Sequence, residues 1–251
     1  MSREFPTDRE PGSLAHAFDS PDVKRQHNRR LFGTIAGRYD LITRLLSFGR
    51  DQRWKSRLLD LAAVSRGQQS LDLACGTGDL AFAAAERGAR VLALDLTPEM
   101  IARARERQDS SRRDVRWVVG DMTQLPVASE TVDVVTTGYG LRNVPDLPAA
   151  LVEAYRVLKP GGRLCSLDFD RPESAWVRGI YLTYLNAAGG AIGWILHRNP
   201  ETYQYIPASI RRYPGARGVC ALMTAAGFAD VRHTPVFGGF MAIHTARRPA
   251  R

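Results

Sequence analysis

The fold is decided by residues 70–79, which read Ser70-Leu71-Asp72-Leu73-Ala74-Cys75-Gly76-Thr77-Gly78-Asp79. An apolar run of strand length leads here into a glycine-rich turn, and a helical pattern follows from Leu80. Glycines let the backbone turn sharply and approach a ligand closely, while a helix N-terminus offers unpaired N–H groups. The next apolar run ends at Asp95, where nucleotide-binding α/β folds carry an acid that holds ribose hydroxyls. The stretch therefore predicts an α/β fold with a cofactor-binding loop.

Further apolar runs of strand length follow along the chain, and helical patterns separate most of them. The predicted strands are Ser70–Ala74, Arg90–Leu94, Val115–Val119, Val132–Thr137 and Arg163–Phe169. This alternation is typical of βαβ units and predicts a mostly parallel sheet. A helix over Gly218–Ala226 and two closing strands, Phe228–His233 and Phe237–Thr245, complete a seven-stranded sheet with an antiparallel hairpin at its C-terminal end.

The chain is predicted to form one domain behind a short tail. Residues 1–25 lack apolar periodicity and are predicted to be flexible. Residues 26–251 form the domain: N-terminal helices over 26–63, a cofactor-binding core over 64–169, a helical insertion that covers the substrate over 170–213, and a C-terminal helix and hairpin over 214–251.

Composition restricts the classes of function. The 251 residues include 35 Lys and Arg against 26 Asp and Glu, and 44% are hydrophobic, which excludes disordered and collagen-like chains. Three distant cysteines and five scattered histidines predict neither a disulfide framework nor a metal site. The polar N-terminus predicts a cytoplasmic protein. The basic residues lack interleaved exposed aromatics, so nucleic acid is not an expected partner.

Two cofactors compete for the glycine-rich turn. Gly76–Ala81 satisfies the dinucleotide fingerprint, and Tyr155 with Lys159 has the spacing of a dehydrogenase pair, which leaves an NAD(P)-dependent oxidoreductase as an alternative. Lys159 is followed by Pro160-Gly161-Gly162, however, so this pair is predicted at a helix end rather than inside a rigid helix. S-adenosylmethionine is favoured by Asp121 and Met122 after the third strand, because an acid at this place can accept a hydrogen bond from the adenine amino group.

Several sequence motifs resemble those of the C-methyltransferases of ubiquinone and menaquinone biosynthesis, a family of class I methyltransferases with a Rossmann-like fold. The resemblance covers about Leu31 to His244 and is carried by Ala36-Gly37-Arg38-Tyr39-Asp40, Leu45–Gly49, Trp54-Lys55, Gly140-Leu141-Arg142-Asn143-Val144, Tyr203–Ile210 and Ala226-Gly227-Phe228. It implies C-methylation of a reduced quinone: demethylmenaquinol to menaquinol, the ubiquinone-pathway benzoquinol, or both. Methylation of another phenol, lipid or specialised metabolite stays open as the alternative.

The resemblance also assigns site residues. Cofactor contacts are expected at Asp72, Gly76, Thr77, Gly78, Asp95, Leu96, Asp121, Met122 and Gly138. On the acceptor side, Arg142 is the first candidate for stabilising a phenolate, because its charge favours the ionised form. Asn143 is expected to orient the substrate hydroxyl or a water that relays its proton. Tyr39 is expected to orient the substrate or to relay the proton. Asp168 and His197 are reserve candidates.

The sequence departs from the family at several of these positions. The family usually has Ser at Gly138, Glu at Asp168, Asn-Asp at Thr43-Arg44, His-Arg at Asp51-Gln52, and Glu at Ala208. Most of these changes fall in the part that shapes the acceptor pocket, so the cofactor is better defined than the quinone.

A prenylated substrate requires an apolar channel. Ile180–Leu196 contains no charged residue but carries Tyr181, Tyr184 and Trp194, which makes it the predicted channel wall. With the basic N-terminal helices, it is expected to let the enzyme rest on the inner face of the membrane that stores the quinol. A homodimer is left open.

Overall fold

The computed structural model describes residues 14, 16–109, 115–172, 174, 176–179, 181–185, 187 and 201–250. The N-terminal helices are α1 (Pro21–Ile35), α2 (Tyr39–Leu46) and α3 (Asp51–Leu61), with a 3-10 turn at Ala36–Arg38. The core follows as β1 (Gln69–Leu73), α4 (Asp79–Glu86), β2 (Arg90–Asp95), α5 (Pro98–Asp109), β3 (Val115–Val119), β4 (Val132–Gly138), α6 (Leu147–Val157) and β5 (Leu158–Phe169). The chain ends with α7 (Glu201–Arg212), α8 (Gly215–Ala225), β6 (Ala229–Val236) and β7 (Met241–Arg247).

These strands form one seven-stranded sheet in the order β3-β2-β1-β4-β5-β7-β6. The first five are parallel, and β7 runs antiparallel to both β5 and β6. This confirms the predicted mostly parallel sheet with its antiparallel C-terminal pair. The strand order reverses between β1 and β4, and ligands of such sheets bind beside the carboxyl ends of the strands at that point.

Helices cover both faces of the sheet and bury it in two apolar layers. One layer joins α3 and α4 to the sheet through side chains such as Leu58, Phe82 and Val134. The other joins α6 and α8 to the opposite face through Leu71, Leu151 and Val219. Fixed on both sides, the sheet holds its carboxyl edge as a rigid platform.

Helix α1 begins earlier than the sequence predicted. Its first residue is Pro21, so residues 21–25, assigned to the flexible tail, are helical. The Ser20 side chain accepts a hydrogen bond from the Val23 N–H at 3.2 Å, and proline suits the first turn because its missing N–H would lack a helical partner there. Residues 1–13 of the predicted tail lie outside the described residues.

Other boundaries also differ from the prediction, and the following have a clear physical reason. Helix α8 starts directly at Gly215, because Asp170 accepts the Ala216 N–H at 2.7 Å. Strand β5 starts at Leu158, which pairs with Val132 before a register shift. The last strand starts at Met241 rather than Phe237, because Phe237 and Gly238 have φ values of 52° and 66° and form a turn.

Candidate active site

A cleft lies along the carboxyl edge of the sheet where β1, β2, β3 and β4 end. We call it the cofactor cleft. Its volume, which includes the space open to solvent, is about 640 Å³. Of the predicted cofactor residues, six line it: Gly76, Asp95, Leu96, Asp121, Met122 and Gly138.

Asp95 fixes the glycine-rich turn at the floor of the cofactor cleft. One carboxylate oxygen accepts the Gly76 N–H at 2.8 Å, and the other accepts the Thr97 N–H at 2.9 Å. Burial raises the pKa of Asp95, while these hydrogen bonds favour its ionised form. Gly76 itself has a φ of 54°, a conformation that glycine adopts without strain. The arrangement leaves a carboxylate lining the cleft as an acceptor for hydroxyl groups.

The Asp121 carboxylate is already hydrogen-bonded on both oxygens. Oδ1 accepts the N–H and the hydroxyl of Thr123 at 2.8 and 2.7 Å, and Oδ2 accepts Nε of Arg25 at 2.7 Å. The carboxylate is partly buried, which opposes ionisation, but the Thr123 and Arg25 hydrogen bonds lower its pKa overall. Arg25 belongs to α1, so the acid expected to meet an adenine is tied to the N-terminal helix.

Three of the predicted cofactor residues do not line the cleft. Side chains alternate along β1, so Asp72 points away from the face of Leu71 and Leu73 and bonds the Thr136 hydroxyl at 2.9 Å. The Thr77 hydroxyl bonds Asp40 at 2.5 Å. A Cβ at Gly78 would lie 2.5 Å from the Trp117 ring, so this glycine serves helix packing. For these three residues, contact with the cofactor stays a prediction.

Helix α1 covers the cofactor cleft, which the sequence analysis missed. Asn28 and Phe32 line the cleft, and Asn28 Nδ2 donates to the carbonyl of Asn143. Lys24 Nζ donates to the carbonyls of Arg142 and Val144 at 3.2 and 2.6 Å. Residues 28, 32 and 35 share one face of α1, and the polar Asn28 on that face was the available signal.

A second cavity of about 830 Å³ adjoins the cofactor cleft; we call it the acceptor cavity. Phe32, Tyr39, Tyr139 and Asn143 line both spaces. The rest of its wall is mostly apolar and includes Ile42, Leu46, Trp54, Phe169, Leu185 and Phe237. A site of this kind suits an apolar ring presented to a ligand in the cofactor cleft.

Arg142 lines the acceptor cavity and is buried, with 6% of its surface exposed. Its Nε lies 3.5 Å from Asp168 Oδ1, one terminal nitrogen donates to Ser209 Oγ, and the guanidinium stacks over the Phe169 ring at 5.0 Å. Asp168 also accepts the backbone N–H of Arg142 at 2.9 Å. Asp168, which lines neither cavity, therefore holds Arg142 in place.

The charges around Arg142 leave the site positive. Burial raises the pKa of Asp168, and the neighbouring Arg142 partly offsets this effect. Burial and the Arg142 charge lower the pKa of Lys24 to about 8, so it is still mostly protonated at pH 7. Two cations and at most one carboxylate carry a net positive charge, which favours an anion in the acceptor cavity.

Asn143 and Tyr39 stand between the two cavities. Asn143 Nδ2 donates to the Tyr139 carbonyl at 2.8 Å, while its buried Oδ1 has no hydrogen-bond partner in the described part of the chain. A buried acceptor without a partner is costly unless a ligand or water supplies a donor. The Tyr39 ring lies near Gly76, and burial raises its pKa.

The departures from the family fall in different environments. Thr43 lines the acceptor cavity, and a Cβ at Gly138 would lie 3.0 Å from Leu80 Cδ1. Asp51 is buried and bonds Lys55 Nζ at 3.0 Å, and the same ammonium bonds Asp79 at 2.6 Å. Burial opposes ionisation of Asp79, but Lys55 and Arg107 lower its pKa well below the usual value. Arg44 and Gln52 are exposed, and Ala208 lines neither cavity.

The dehydrogenase pair lies outside both cavities. Tyr155 packs edge-to-face on Phe228, and Lys159 pairs with Asp133 at 2.8 Å. Of the predicted channel wall, Tyr181 and Tyr184 line the acceptor cavity. Most of the remaining stretch, with Trp194, and the reserve candidate His197 lie outside the described residues. Within the described residues, no helix is long and apolar enough to cross a bilayer.

Solved structures that share this architecture include methyltransferases. A SAM-dependent methyltransferase of Thermotoga maritima, titled a possible histamine N-methyltransferase, superposes with a TM-score of 0.63 at 19% identity, over 88% of this chain and 99% of that one. A SAM-dependent methyltransferase of Aquifex aeolicus gives 0.57 at 18% identity, over 77% and 89%. The chain has the Rossmann-like fold of class I methyltransferases.

Sequence relatives narrow this class. The sequence profile of the ubiE/COQ5 methyltransferase family matches residues 20–248, and the chain belongs to this family. It is 39% identical to the ubiquinone/menaquinone biosynthesis C-methyltransferase UbiE of Rubrivivax gelatinosus, over 96% of both chains. It is 41% identical to the demethylmenaquinone methyltransferase of Thermus thermophilus, over 87% of this chain and all of that one.

Proposed function

We propose that this enzyme transfers a methyl group from S-adenosylmethionine to a ring carbon of a demethylated quinol with a prenyl tail. The observation that carries the proposal is the pair of adjoining cavities with Arg142 buried in the wall of the second. The relatives are named for ubiquinone and menaquinone biosynthesis, and these names support a quinol as the acceptor.

The cleft residues fit S-adenosylmethionine. Asp95 presents a carboxylate to hydroxyl groups, and Leu96, Met100 and Met122 offer apolar contacts for a purine ring. The unpartnered Asn143 Oδ1 lies where both cavities meet and can accept a donor from either ligand. When bound, the cofactor supplies an activated methyl group on a positively charged sulfur.

The residues of the acceptor cavity have the task of making a ring carbon nucleophilic. A phenol has a pKa near 10, and its ring carbon becomes reactive when the hydroxyl loses its proton. Arg142, with Lys24 behind it, lowers the cost of that ionisation by stabilising the phenolate. Asn143 Oδ1 orients the hydroxyl or a water that receives its proton. The aromatic walls hold the ring at the junction, and this positioning contributes to the rate.

The proposed function is tested with labelled S-adenosylmethionine and a reduced short-tail demethylnaphthoquinol or benzoquinol. We expect a C-methylated product from at least one quinol and none from the oxidised quinone, which has no phenol to ionise. Failure with both quinols contradicts the proposal. Product mass spectrometry over a panel of phenols and lipids then identifies another acceptor. Calorimetry with S-adenosylhomocysteine and NAD checks the cofactor separately.

The prediction of peripheral membrane contact follows from this function, because a prenylated quinol is stored in a bilayer. The homodimer stays a prediction.

A further inference from the structure

Exposed apolar side chains gather at the outer rim of the acceptor cavity. Helix α2 lines the cavity with Ile42 and Leu46, while Leu41 and Leu45, one turn apart, are exposed by 49% and 50%. Phe48, just after α2, is 61% exposed and stacks on Tyr184, a lining residue, with ring centroids 6.3 Å apart. We call Leu41, Leu45, Phe48 and Tyr184 the mouth face.

The backbone presents Phe48 outward under strain. Its φ is 51°, a left-handed conformation that is unfavourable for a residue with a Cβ, and Gly49 continues the turn with a φ of 72°. The turn ends α2, because the Gly49 N–H donates to the Arg44 carbonyl at 2.8 Å. It places the Phe48 ring against Tyr184 and Phe237 and leaves most of the ring exposed.

The size of the acceptor cavity indicates that a long tail must leave it. Its volume of about 830 Å³ includes the space that is open to solvent, so the enclosed part is smaller. It can hold a quinol ring and the first part of a prenyl tail, but not a tail of many units. The mouth face lies where α2 and Tyr184 form the outer wall, so the rest of the tail would pass over these exposed apolar side chains.

The surface beside the mouth face is positively charged. Arg44, Arg50, Arg53 and Arg57 are all exposed. Between residues 41 and 57 the only acid is Asp51, which is buried and paired with Lys55. Exposed apolar residues bordered by arginines suit a surface that is apolar inside and anionic outside.

We propose that the mouth face docks on an anionic lipid bilayer and opens the acceptor cavity directly to the hydrocarbon that holds the quinol tail. This inference rests on the proposed function, because it assigns the surface through which that substrate enters. The occupant is a bilayer rather than a second copy of the chain, since paired copies would bring the arginines of both face to face.

Vesicle co-sedimentation of the full chain tests the proposal. The probes are phosphatidylcholine vesicles with and without phosphatidylglycerol, at low and high salt. We expect binding to anionic vesicles that weakens with salt, and a loss of about tenfold or more in the Leu45→Ser/Phe48→Ser double variant. Val152→Ser is the matched control, because Val152 is 54% exposed on α6 and lines neither cavity.

A charge pair of variants tests the electrostatic part. Arg44→Glu is expected to weaken binding to anionic vesicles by about fivefold or more, since each basic residue near such a surface contributes about that factor. Arg90→Glu is its control. Arg90 is exposed at the first residue of β2, so it lies at the amino ends of the parallel strands, away from their carboxyl ends.

Activity on a soluble short-tail quinol separates this proposal from the proposed function. Leu45 and Phe48 line neither cavity, so the double variant is expected to keep that activity and lose activity on long-tail quinol in vesicles. Equal vesicle binding by the wild type and the double variant overturns the docking surface. The docking surface is also overturned if the wild type binds no vesicles but forms a dimer that the double variant cannot form. Failure of the wild type on soluble quinols overturns the proposed function instead.

Discussion

Arg25 of α1 donates through Nε to Asp121 Oδ2 at 2.7 Å, across the open edge of the cofactor cleft. The two residues are 96 positions apart in the chain, and their ion pair ties the N-terminal helix to the loop after β3. Asn28 and Phe32 on the same helix line the cleft. The pair therefore helps to hold a wall of the cofactor site in place.

The first prediction concerns this ion pair. We expect Arg25→Ala to weaken binding of S-adenosylhomocysteine by up to about fivefold, because a partly exposed ion pair is worth about 0–1 kcal/mol. Isothermal titration calorimetry measures the change. Arg29→Ala, an exposed arginine on α1, is the control. Tighter binding in Arg25→Ala would show instead that Arg25 competes with the cofactor for Asp121.

The second prediction concerns Asp95. Asp95→Ala removes the carboxylate that accepts the Gly76 and Thr97 N–H groups and lines the cleft. We expect cofactor affinity to fall roughly tenfold to hundredfold, since a hydrogen bond to a charged group contributes about 1.5–3 kcal/mol. The measurement is the same titration. An affinity unchanged within twofold would contradict the assignment of Asp95 to the cofactor.

The third prediction separates the acceptor side from the cofactor side. Removing Arg142 alone would leave Asp168 buried without its partner, at a cost of about 3–5 kcal/mol in stability. The informative change is therefore Arg142→Gln combined with Asp168→Asn, which neutralises both. We expect turnover to fall by about a hundredfold, the loss typical of a donor that stabilises a developing anion.

Cofactor affinity is the control for this double variant, because Arg142 lines only the acceptor cavity. We expect it to stay within about twofold of the wild type. Asp168→Asn alone is expected to keep more activity than the double variant, since the arginine remains. A parallel loss of affinity and turnover in the double variant would place Arg142 at the cofactor.

The fourth prediction uses the buried carboxyl of Asp72. Burial raises its pKa from 3.8 to about 7, and the Thr136 hydrogen bond offsets only part of this. Between about pH 4 and pH 7, the folded state therefore binds more protons at this group than the unfolded state. The free energy of unfolding consequently falls as pH rises through this window. Asp72→Asn cannot titrate and lacks that decrease.

Chemical denaturation at pH 5 and pH 8 measures the effect. We expect the stability of Asp72→Asn relative to the wild type to increase between these pH values, by on the order of 1 kcal/mol for each pH unit between pH 5 and about pH 7. Asp60→Asn, at an exposed position on α3, is the control for the loss of one negative charge. A constant difference between Asp72→Asn and the wild type would contradict the raised pKa.

Local sequence patterns were enough to predict the sheet and the edge at which the candidate site lies. Apolar runs alternating with helical patterns require parallel strands, and the glycine-rich turn after the first strand marks the carboxyl edge. Gly76, Asp95 and Asp121 could be predicted at this edge because each lies at the end of a strand or within three residues of it. Their place depends on the direction of the strands, which the alternation of strands and helices predicts.

Which side chains face the cavities, and which elements cover them, depends on tertiary packing. Asp72 and Thr77 belong to the same stretch as Gly76, yet strand alternation and the contact with Asp40 turn them away from the cleft. Helix α1 reaches Asp121 through Arg25, and Asp168 holds Arg142, through contacts between distant parts of the chain. Such contacts depend on how packed elements meet in space, and no local sequence period records that.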